Sequence, residues 1–170
     1  MKSKTAMDKW DRQILLEDLC GRVPFDTIVQ VGDKDDNKRH TRNCYIRSVD
    51  TFGYDVVVDD YINDLLEIED VKPYLRPLSS MTEEEKQDLL FKVLGSENNA
   101  KRFKVTDKGE IVNIKDKKVS LYDLTWVTFN PTTVTSYISW CNKNHFDYRG
   151  LIQMGLALEA PADMYSRNTK

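Results

Sequence analysis

Three short runs of β-branched and aromatic residues, separated by turn residues, constrain the fold most strongly. The runs cover residues 27–31, 44–49 and 54–58. Runs of this length and composition are typical of β-strands, and the short gap between the second and the third predicts a hairpin. We therefore expect residues 22–59 to form a small antiparallel sheet.

An amphipathic helix is predicted directly before this sheet. Apolar residues recur there at helical spacing, at Trp10, Ile14, Leu15 and Leu19. This spacing places them on one face of a helix over residues 8–20, which we expect to pack on the sheet. Gly21 and Pro24 favour an end of the helix soon after residue 20.

A connector and a clearly marked helix follow the predicted sheet. Residues 60–78 contain Pro73 and Pro77, which disfavour regular structure. Ser80 and Thr82 each precede a glutamate by three residues, a spacing that predicts a capping box at the start of a helix. The apolar stripe of this helix consists of Leu89, Leu90, Val93 and Leu94, with a glycine directly after it.

A second hairpin is predicted in the C-terminal half. Residues 103–106 and 111–114 have strand composition, and the polar, glycine-containing segment 107–110 lies between them. Val119 and Leu121 are expected to start a short further segment of regular structure.

Two helices joined by a tight turn are predicted near the end of the chain. Pro131 suits the first turn of a helix, and Asn130 suits its N-cap. That helix is expected to run to about residue 144 and to bury Val134, Tyr137, Ile138 and Cys141. A shorter second helix over 148–154 would complete a helix-turn-helix corner.

These elements predict an α+β fold. It combines a small antiparallel sheet and an N-terminal helix with a C-terminal half that holds a helix, a hairpin and the helix-turn-helix corner. The corresponding division is 1–72, a connector at 73–81, a second half at 82–165 and a loose tail at 166–170. One compact domain that contains both halves is the alternative.

Composition and cysteine usage indicate a soluble cytoplasmic protein. The 170 residues are 40% hydrophobic and 31% charged, which is ordinary for a globular chain. No apolar run approaches the roughly 20 residues that span a bilayer, and the basic N-terminus lacks the apolar region of a signal peptide. The three widely spaced cysteines Cys20, Cys44 and Cys141 fit a reducing compartment better than a disulfide framework.

Residues 139–161 hold the densest set of chemically competent side chains. Cys141 and His145 are four residues apart, and Asp147 follows. Such a set is compatible with a nucleophile, its base and an orienting carboxylate, or with three metal ligands. The structural interpretation is stronger, because Cys141 lies in the apolar stripe of a helix and the other two suit a turn. We therefore expect neither a catalytic group nor a metal or cofactor here.

The same corner is a candidate interaction site, formed by His145, Asp147, Tyr148 and Arg149. Arg149 suits an ion pair with Asp147, stacking on an aromatic ring or contact with a phosphate, and we favour an internal ion pair over contact with a partner. The second helix of the corner is too apolar to read a DNA groove, since a recognition helix needs exposed polar residues. Its apolar residues are Leu151, Ile152, Met154 and Leu156.

Charge is distributed unevenly along the chain. Residues 48–71 contain eight acidic residues and no basic one. The predicted hairpin region 101–118 is basic and is a candidate nucleic-acid contact, with Phe103 as a stacking surface. Its candidate residues are Lys101, Arg102, Phe103, Lys104, Lys108, Lys115, Lys117 and Lys118. The alternatives for the basic region are simple solvation and protection of a sheet edge. The acidic stretch could be a solvated connector, hold a divalent cation or mimic a polyanion toward a basic partner, and the two patches could also attract each other.

The familiar catalytic and nucleotide-binding motifs are missing from the sequence. It contains no GxxxxGK[ST], GxGxxG, HExxH or GxSxG pattern. Its only histidines are His40 and His145, which argues against histidine metal clusters. Residues 31–37 have the beginning of a calcium loop, but Cys44 stands where the loop needs its glutamate.

Three phrases of the sequence are similar to one group of proteins. They lie at residues 15–24, at 72–84 and at 145–152, the last followed by 155–157 and 160–161. On these phrases the chain resembles uncharacterised proteins of phages, prophages and mobile elements from gut Bacteroidales. The resemblance implies a bacterial host cytoplasm and brings no catalytic residue.

The sequence therefore predicts a non-enzymatic accessory protein that acts by binding a protein partner. Nucleic-acid binding by the basic hairpin is the alternative, and an enzyme centred on Cys141, His145 and Asp147 is the second alternative.

Overall fold

The computed structural model describes residues 7–32, 41–52, 55–59, 66–115 and 131–165. Within these residues the protein is mixed α and β, with a six-stranded sheet, a two-stranded sheet and four α-helices. The predicted mixture of helices with antiparallel strands is thus confirmed at this coarser level. No helix in the described part is long and apolar enough to cross a membrane.

Two compact units divide the chain. The first comprises Met1–Leu75 with Arg149–Lys170, and the second comprises Arg76–Tyr148. Residues 149–165 therefore group with the first unit, while the predicted connector at 73–81 stays a prediction.

The strands are β1 (Ile28–Gly32), β2 (Thr41–Asp50), β3 (Asp55–Val58), β4 (Leu66–Glu67), β5 (Val71–Leu75), β6 (Phe103–Val105), β7 (Ile111–Asn113) and β8 (Leu158–Glu159). The helices are α1 (Lys9–Arg22), α2 (Glu83–Leu94), α3 (Glu97–Ala100) and α4 (Pro131–Lys143).

The sheet of the first unit has the order β4-β3-β2-β1-β5-β8. The long strand β2 pairs with β1 through its first half and with β3 through its second half, both antiparallel. The register of the β2–β3 pairing shifts between Ile46 and Ser48. The predicted β2–β3 hairpin is confirmed, and the short outer strands β4 and β8 leave little edge for other chains to pair with.

The predicted connector at 60–78 proved wrong in part, because it contains β4 and β5. Pro73 lies inside β5, opposite Val29 of β1. A proline keeps the extended backbone of a strand and loses only its N–H donor, so it is compatible with a position where that donor is not needed. β8 pairs with β5 in parallel at the next two residues, Tyr74 and Leu75.

Helix α1 begins at the predicted place and buries most of the predicted face. The Asp8 carboxylate accepts a hydrogen bond from the Asp11 backbone N–H at 2.8 Å and caps the helix. Leu15, Leu16 and Leu19 are buried with the inward-facing residues of the sheet in one core cluster. The prediction for Trp10 was wrong, since its side chain is 76% exposed.

A buried ion pair lies at the end of α1. The Arg22 guanidinium donates to both oxygens of Asp18, at 2.6 Å from Nε and 3.1 Å from Nη2, and both side chains are fully buried. Because a buried charge needs its partner, losing either member leaves an uncompensated ion in the core. The pair lies in the last turn of α1, which ends two residues past the predicted end.

The Tyr165 hydroxyl joins two strands of the sheet. It accepts a hydrogen bond from the Ile28 N–H at 3.1 Å and donates one to the Tyr74 carbonyl oxygen at 2.9 Å. These backbone groups belong to β1 and β5, so a side chain from the C-terminal segment satisfies both. Burial raises the pKa of Tyr165 to about 12, which keeps the hydroxyl protonated as this role requires.

Helix α2 of the second unit begins with a capping box, as predicted. The Thr82 hydroxyl accepts from the Glu85 N–H at 3.2 Å, and the Glu85 carboxylate accepts from the Thr82 N–H at 2.9 Å. Helix α2 then buries Leu89, Leu90 and Val93 in a core cluster that includes residues of α4 and the hairpin.

The predicted second hairpin is confirmed as β6 and β7, paired antiparallel. Its turn is held in place by Gly109, which has a positive φ of 78°. A Cβ at this position would lie 2.8 Å from a Leu78 methyl and 2.9 Å from the Tyr137 hydroxyl, so a side chain here would have to displace these groups and would also be strained by the positive φ.

Helix α4 is confirmed, with corrections to its burial and surroundings. Val134 is 42% exposed, contrary to prediction, and Trp140 is buried instead.

The predicted second helix is not confirmed, because residues 151–155 form turns that follow Gly150 and end at Gly155, two glycines of positive φ. A segment this short between two left-handed residues does not propagate a helix. The predicted Asn130 cap and the predicted segment at Val119 and Leu121 lie outside the described residues.

Replacing Tyr165 by phenylalanine tests the strand contact. Tyr165→Phe removes one donor and one acceptor and leaves the Ile28 N–H and the Tyr74 carbonyl without their buried partner. We expect the free energy of unfolding to fall by about 1–3 kcal/mol. Chemical denaturation measures this change. Tyr45→Phe is the matched control, since Tyr45 is 42% exposed and its loss should cost under about 0.5 kcal/mol. Equal effects of the two substitutions would contradict this role.

Candidate functional site

Arg76 organises the chemically dense segment of the second unit. Its backbone N–H donates to the His145 carbonyl at 2.8 Å, and its carbonyl accepts from the Asp147 N–H at 2.8 Å. Arg76 and Phe146 thus form a parallel bridge between two segments that are far apart in sequence. The His145 carbonyl and the Asp147 N–H, on either side of Phe146, are therefore both hydrogen-bonded to the Arg76 backbone.

The Arg76 side chain makes two further contacts in the same unit. Its guanidinium carbon lies 4.2 Å from the centre of the Phe146 ring. Two of its nitrogens donate to the two oxygens of Glu85, at 2.7 and 3.0 Å. A planar guanidinium makes both contacts at once, which a lysine ammonium does not.

The Phe146 ring also stacks on Trp140, with centroids 5.5 Å apart and planes within 5°. The Trp140 indole N–H donates to the Asp88 carboxylate at 2.7 Å. Aromatic stacking of this kind adds about 0.5–1.5 kcal/mol beyond the burial of area. The two aromatic side chains therefore belong to the packing of the unit.

Glu85 takes part in both the capping box and the arginine contact. Burial by itself raises the pKa of this carboxyl, but the hydrogen bonds from Arg76 and the Thr82 N–H outweigh it. The net effect is a pKa below the ordinary value. The ionised form of Glu85 is the one that stabilises the fold.

The three residues considered as a catalytic or metal set are all buried. Cys141, His145 and Asp147 expose 0%, 9% and 7% of their surfaces. His145 adopts a positive φ of 60°, where the chain turns out of α4. Among the described residues, no group of three or more His, Cys, Asp or Glu side chains is placed to hold a metal ion.

Cys141 lies against Tyr137 one helical turn earlier. Burial raises the pKa of the Tyr137 hydroxyl, and the neighbouring Cys141 raises it further. The same hydroxyl donates to the Gly109 carbonyl at 3.3 Å. The thiol thus lies beside the tyrosine that connects α4 to the hairpin turn.

The remaining members of the predicted corner also make internal contacts. Tyr148 is partly buried against the core of the second unit. Arg149 belongs to the first unit, where its Nη1 lies 3.4 Å from the Glu17 carboxylate and its Nε lies 3.7 Å from Asp18. Arg149 is thus internally paired, with partners on α1.

The acidic stretch 48–71 is partly used in ion pairs of the first unit. Glu69 pairs with Arg12 of α1. Asp59 accepts from Arg47 at 2.9 Å and from the Tyr45 N–H at 2.7 Å. Asp60 and Asp64 lie outside the described residues. In the described residues, these acids hold neighbouring elements together.

The basic hairpin divides its residues between two faces. Phe103 and Val105 face inward and pack with the core cluster of the second unit, so Phe103 is not displayed as an open stacking ring. Lys104, between them, is exposed. Lys101, Arg102, Lys108 and Lys115 are exposed as well, whereas Lys117 and Lys118 lie outside the described residues.

Two exposed aromatic side chains of the first unit were not among the predicted sites. Trp10 on the first turn of α1 is 76% exposed, and Phe52 in the β2–β3 turn is 94% exposed. The Asp50 carboxylate accepts a hydrogen bond from the Phe52 N–H at 2.9 Å. The position of Phe52 within the predicted turn between the second and third strands was the available signal, while Trp10 had been assigned to the buried face.

Comparison with known proteins adds no family. No protein-family model matches the chain, and neither a curated protein nor a solved structure matches it.

Replacing Glu85 by glutamine tests the arginine contact through its pH dependence. Glu85→Gln removes the carboxylate whose folded-state pKa is lowered, so the wild type should be more stable above about pH 4, by about 1–2 kcal/mol. This advantage should disappear as the pH falls through the lowered pKa. Urea denaturation across this range measures it.

Glu84→Gln is the control for that experiment, because Glu84 is exposed in the same first turn of α2. It should change stability by under about 0.5 kcal/mol. A Glu85→Gln deficit that is independent of pH would show that the charge of Glu85 is not what matters.

Proposed function

We propose that the protein is a non-enzymatic accessory protein that acts by binding a protein partner. The observation that carries this proposal is the exposure of Trp10 and Phe52 in the first unit. Large aromatic side chains are enriched at the energetic centres of protein interfaces, because burying them gains apolar area at low conformational cost. The Phe52 backbone N–H is hydrogen-bonded to the Asp50 carboxylate, which reduces the conformational freedom that this residue would lose on binding.

The burial of the chemically reactive side chains of the second unit supports the same proposal. Cys141, His145 and Asp147 are buried. A catalytic group has to reach its substrate, and these residues lie in a segment whose backbone and aromatic rings are used in packing. A surface function fits this arrangement better than chemistry at residues 141–147.

The biological setting of the proposal comes from the resemblance to proteins of phages, prophages and mobile elements from gut Bacteroidales. On that basis the partner is a protein in the cytoplasm of a bacterial host. Nucleic-acid contact by the hairpin stays the alternative prediction. Its cations are exposed, but its proposed stacking residue Phe103 packs inward.

Affinity capture from a nuclease-treated lysate of the native host tests the proposal. The intact chain should retain a protein at near-stoichiometric amount, and Trp10→Ala with Phe52→Ala should reduce its retention at least about tenfold. Phe91→Ala is the matched control, since Phe91 is an exposed aromatic of the second unit, 49% accessible. Capture should be unchanged by this control.

Two results would contradict the proposal. The first is retention that depends on nucleic acid and vanishes after nuclease treatment. The second is substrate turnover by the purified protein that is lost on Cys141→Ala, His145→Ala or Asp147→Ala while the fold is kept.

A further inference from the structure

The outward face of the β6–β7 hairpin combines cations with aliphatic residues. Lys104 pairs with Val112 across the hairpin. The Ile114 N–H donates to the Arg102 carbonyl at 2.9 Å, so these two residues lie opposite each other as well. Since side chains alternate along a strand, all four share the face opposite to Phe103 and Val105. Ile114 is 51% exposed there.

The positive charge of this face is not neutralised within the described part of the chain. There, Arg102 and Lys104 of this face are exposed and have no ion pair, and the same holds for Lys108 in the turn of the hairpin and for Lys115 after β7. Neighbouring cations differ in this respect. Lys101 pairs with Glu97 at 2.9 Å, and Lys86 pairs with Glu83 and Asp107.

From this arrangement we infer that the hairpin face docks an acidic segment of a protein that carries aliphatic side chains between its carboxylates. The charges attract carboxylates, and the row formed by Val112 and Ile114 provides apolar contact alongside them. The surface is independent of Trp10 and Phe52, so this inference goes beyond the proposed function.

A nucleic acid fits the same face less well. Single strands bind through phosphate contacts together with aromatic rings on which the bases stack. The aromatic residue of this hairpin, Phe103, packs with the core cluster on the other face. What lies beside the cations instead is aliphatic, which gives bases no stacking surface.

Protection of a sheet edge does not explain the face either. Lysines on a hairpin discourage pairing with other chains, but an exposed isoleucine works against that effect. The combination of Arg102 and Lys104 with Ile114 is typical of an interface that mixes charge and apolar contact.

Fluorescence anisotropy with the full chain and three labelled probes of equal negative charge tests this inference. The probes are a peptide of acidic residues interspersed with leucine, the same peptide with serine for leucine, and a single-stranded oligothymidylate. We expect the leucine peptide to bind about tenfold more tightly than the serine peptide and than the oligonucleotide.

Variants of the chain separate the two contributions. Arg102→Glu with Lys104→Glu should weaken binding of the leucine peptide at least about tenfold. Ile114→Ser should leave the serine peptide unaffected and should remove most of the difference between the peptides. Lys9→Glu with Lys143→Glu is the control for net charge, because both lysines are exposed outside the hairpin. It should leave the preference for leucine intact.

Three outcomes would overturn the inference. The first is that the oligonucleotide binds as tightly as the leucine peptide or more tightly. The second is that the preference for leucine survives Ile114→Ser. The third is that Arg102→Glu with Lys104→Glu weakens the binding of none of the probes. None of these bears on capture through Trp10 and Phe52, so the failure of this inference is distinguishable from failure of the proposed function.

Discussion

The Arg76 guanidinium makes contacts on which much of the second unit depends. It lies 4.2 Å from the centre of the Phe146 ring and donates to both oxygens of Glu85, the residue that closes the capping box of α2. Its backbone meanwhile bonds on both sides of Phe146. One residue thereby connects the start of α2 with the chain that leaves α4. Few other residue types at position 76 could satisfy all of these partners, because the Phe146 ring and the Glu85 carboxylate together need a planar cation there.

This arrangement explains why the segment richest in reactive residues does not resemble an active site. Phe146 and Trp140 stack, His145 occupies the turn after α4, and Asp147 gives its backbone N–H to Arg76. Arg149, the next candidate, pairs with α1 in the first unit. Among the described residues, exposed aromatic or cationic side chains lie elsewhere, on α1, in the β2–β3 turn and on the outward face of the hairpin. This distribution of exposure supports the proposed binding function.

Local signals were the predictable part of the fold. The Thr82–Glu85 capping box, the hairpins and the start of α1 depend on residues close together in sequence, and all of them formed. Burial was less predictable, because a helix of given periodicity can turn different sides to the core. Trp10 and Val134 are exposed for this reason, although both lie on an apolar stripe.

Contacts between distant segments could not be predicted at all. Nothing near Arg76 in sequence indicates that it meets Phe146, and nothing near Tyr165 indicates that its hydroxyl joins Ile28 to Tyr74. The same limit explains the error at Pro73, since the strand there exists through pairing with β1. For the hairpin, the sequence predicted the cations, and only the strand register showed that Ile114 lies beside Arg102 while Phe103 faces the core.

The most direct test of the central claim is amide hydrogen exchange of the full chain, alone and with the protein captured from the host. We propose that the protein acts through its exposed surfaces while residues 140–149 serve packing. New protection should appear around Trp10 and Phe52, with exchange at 140–149 unchanged and already slow in the free protein. Protection gained mainly at 140–149, with no change around Trp10 and Phe52, would contradict it.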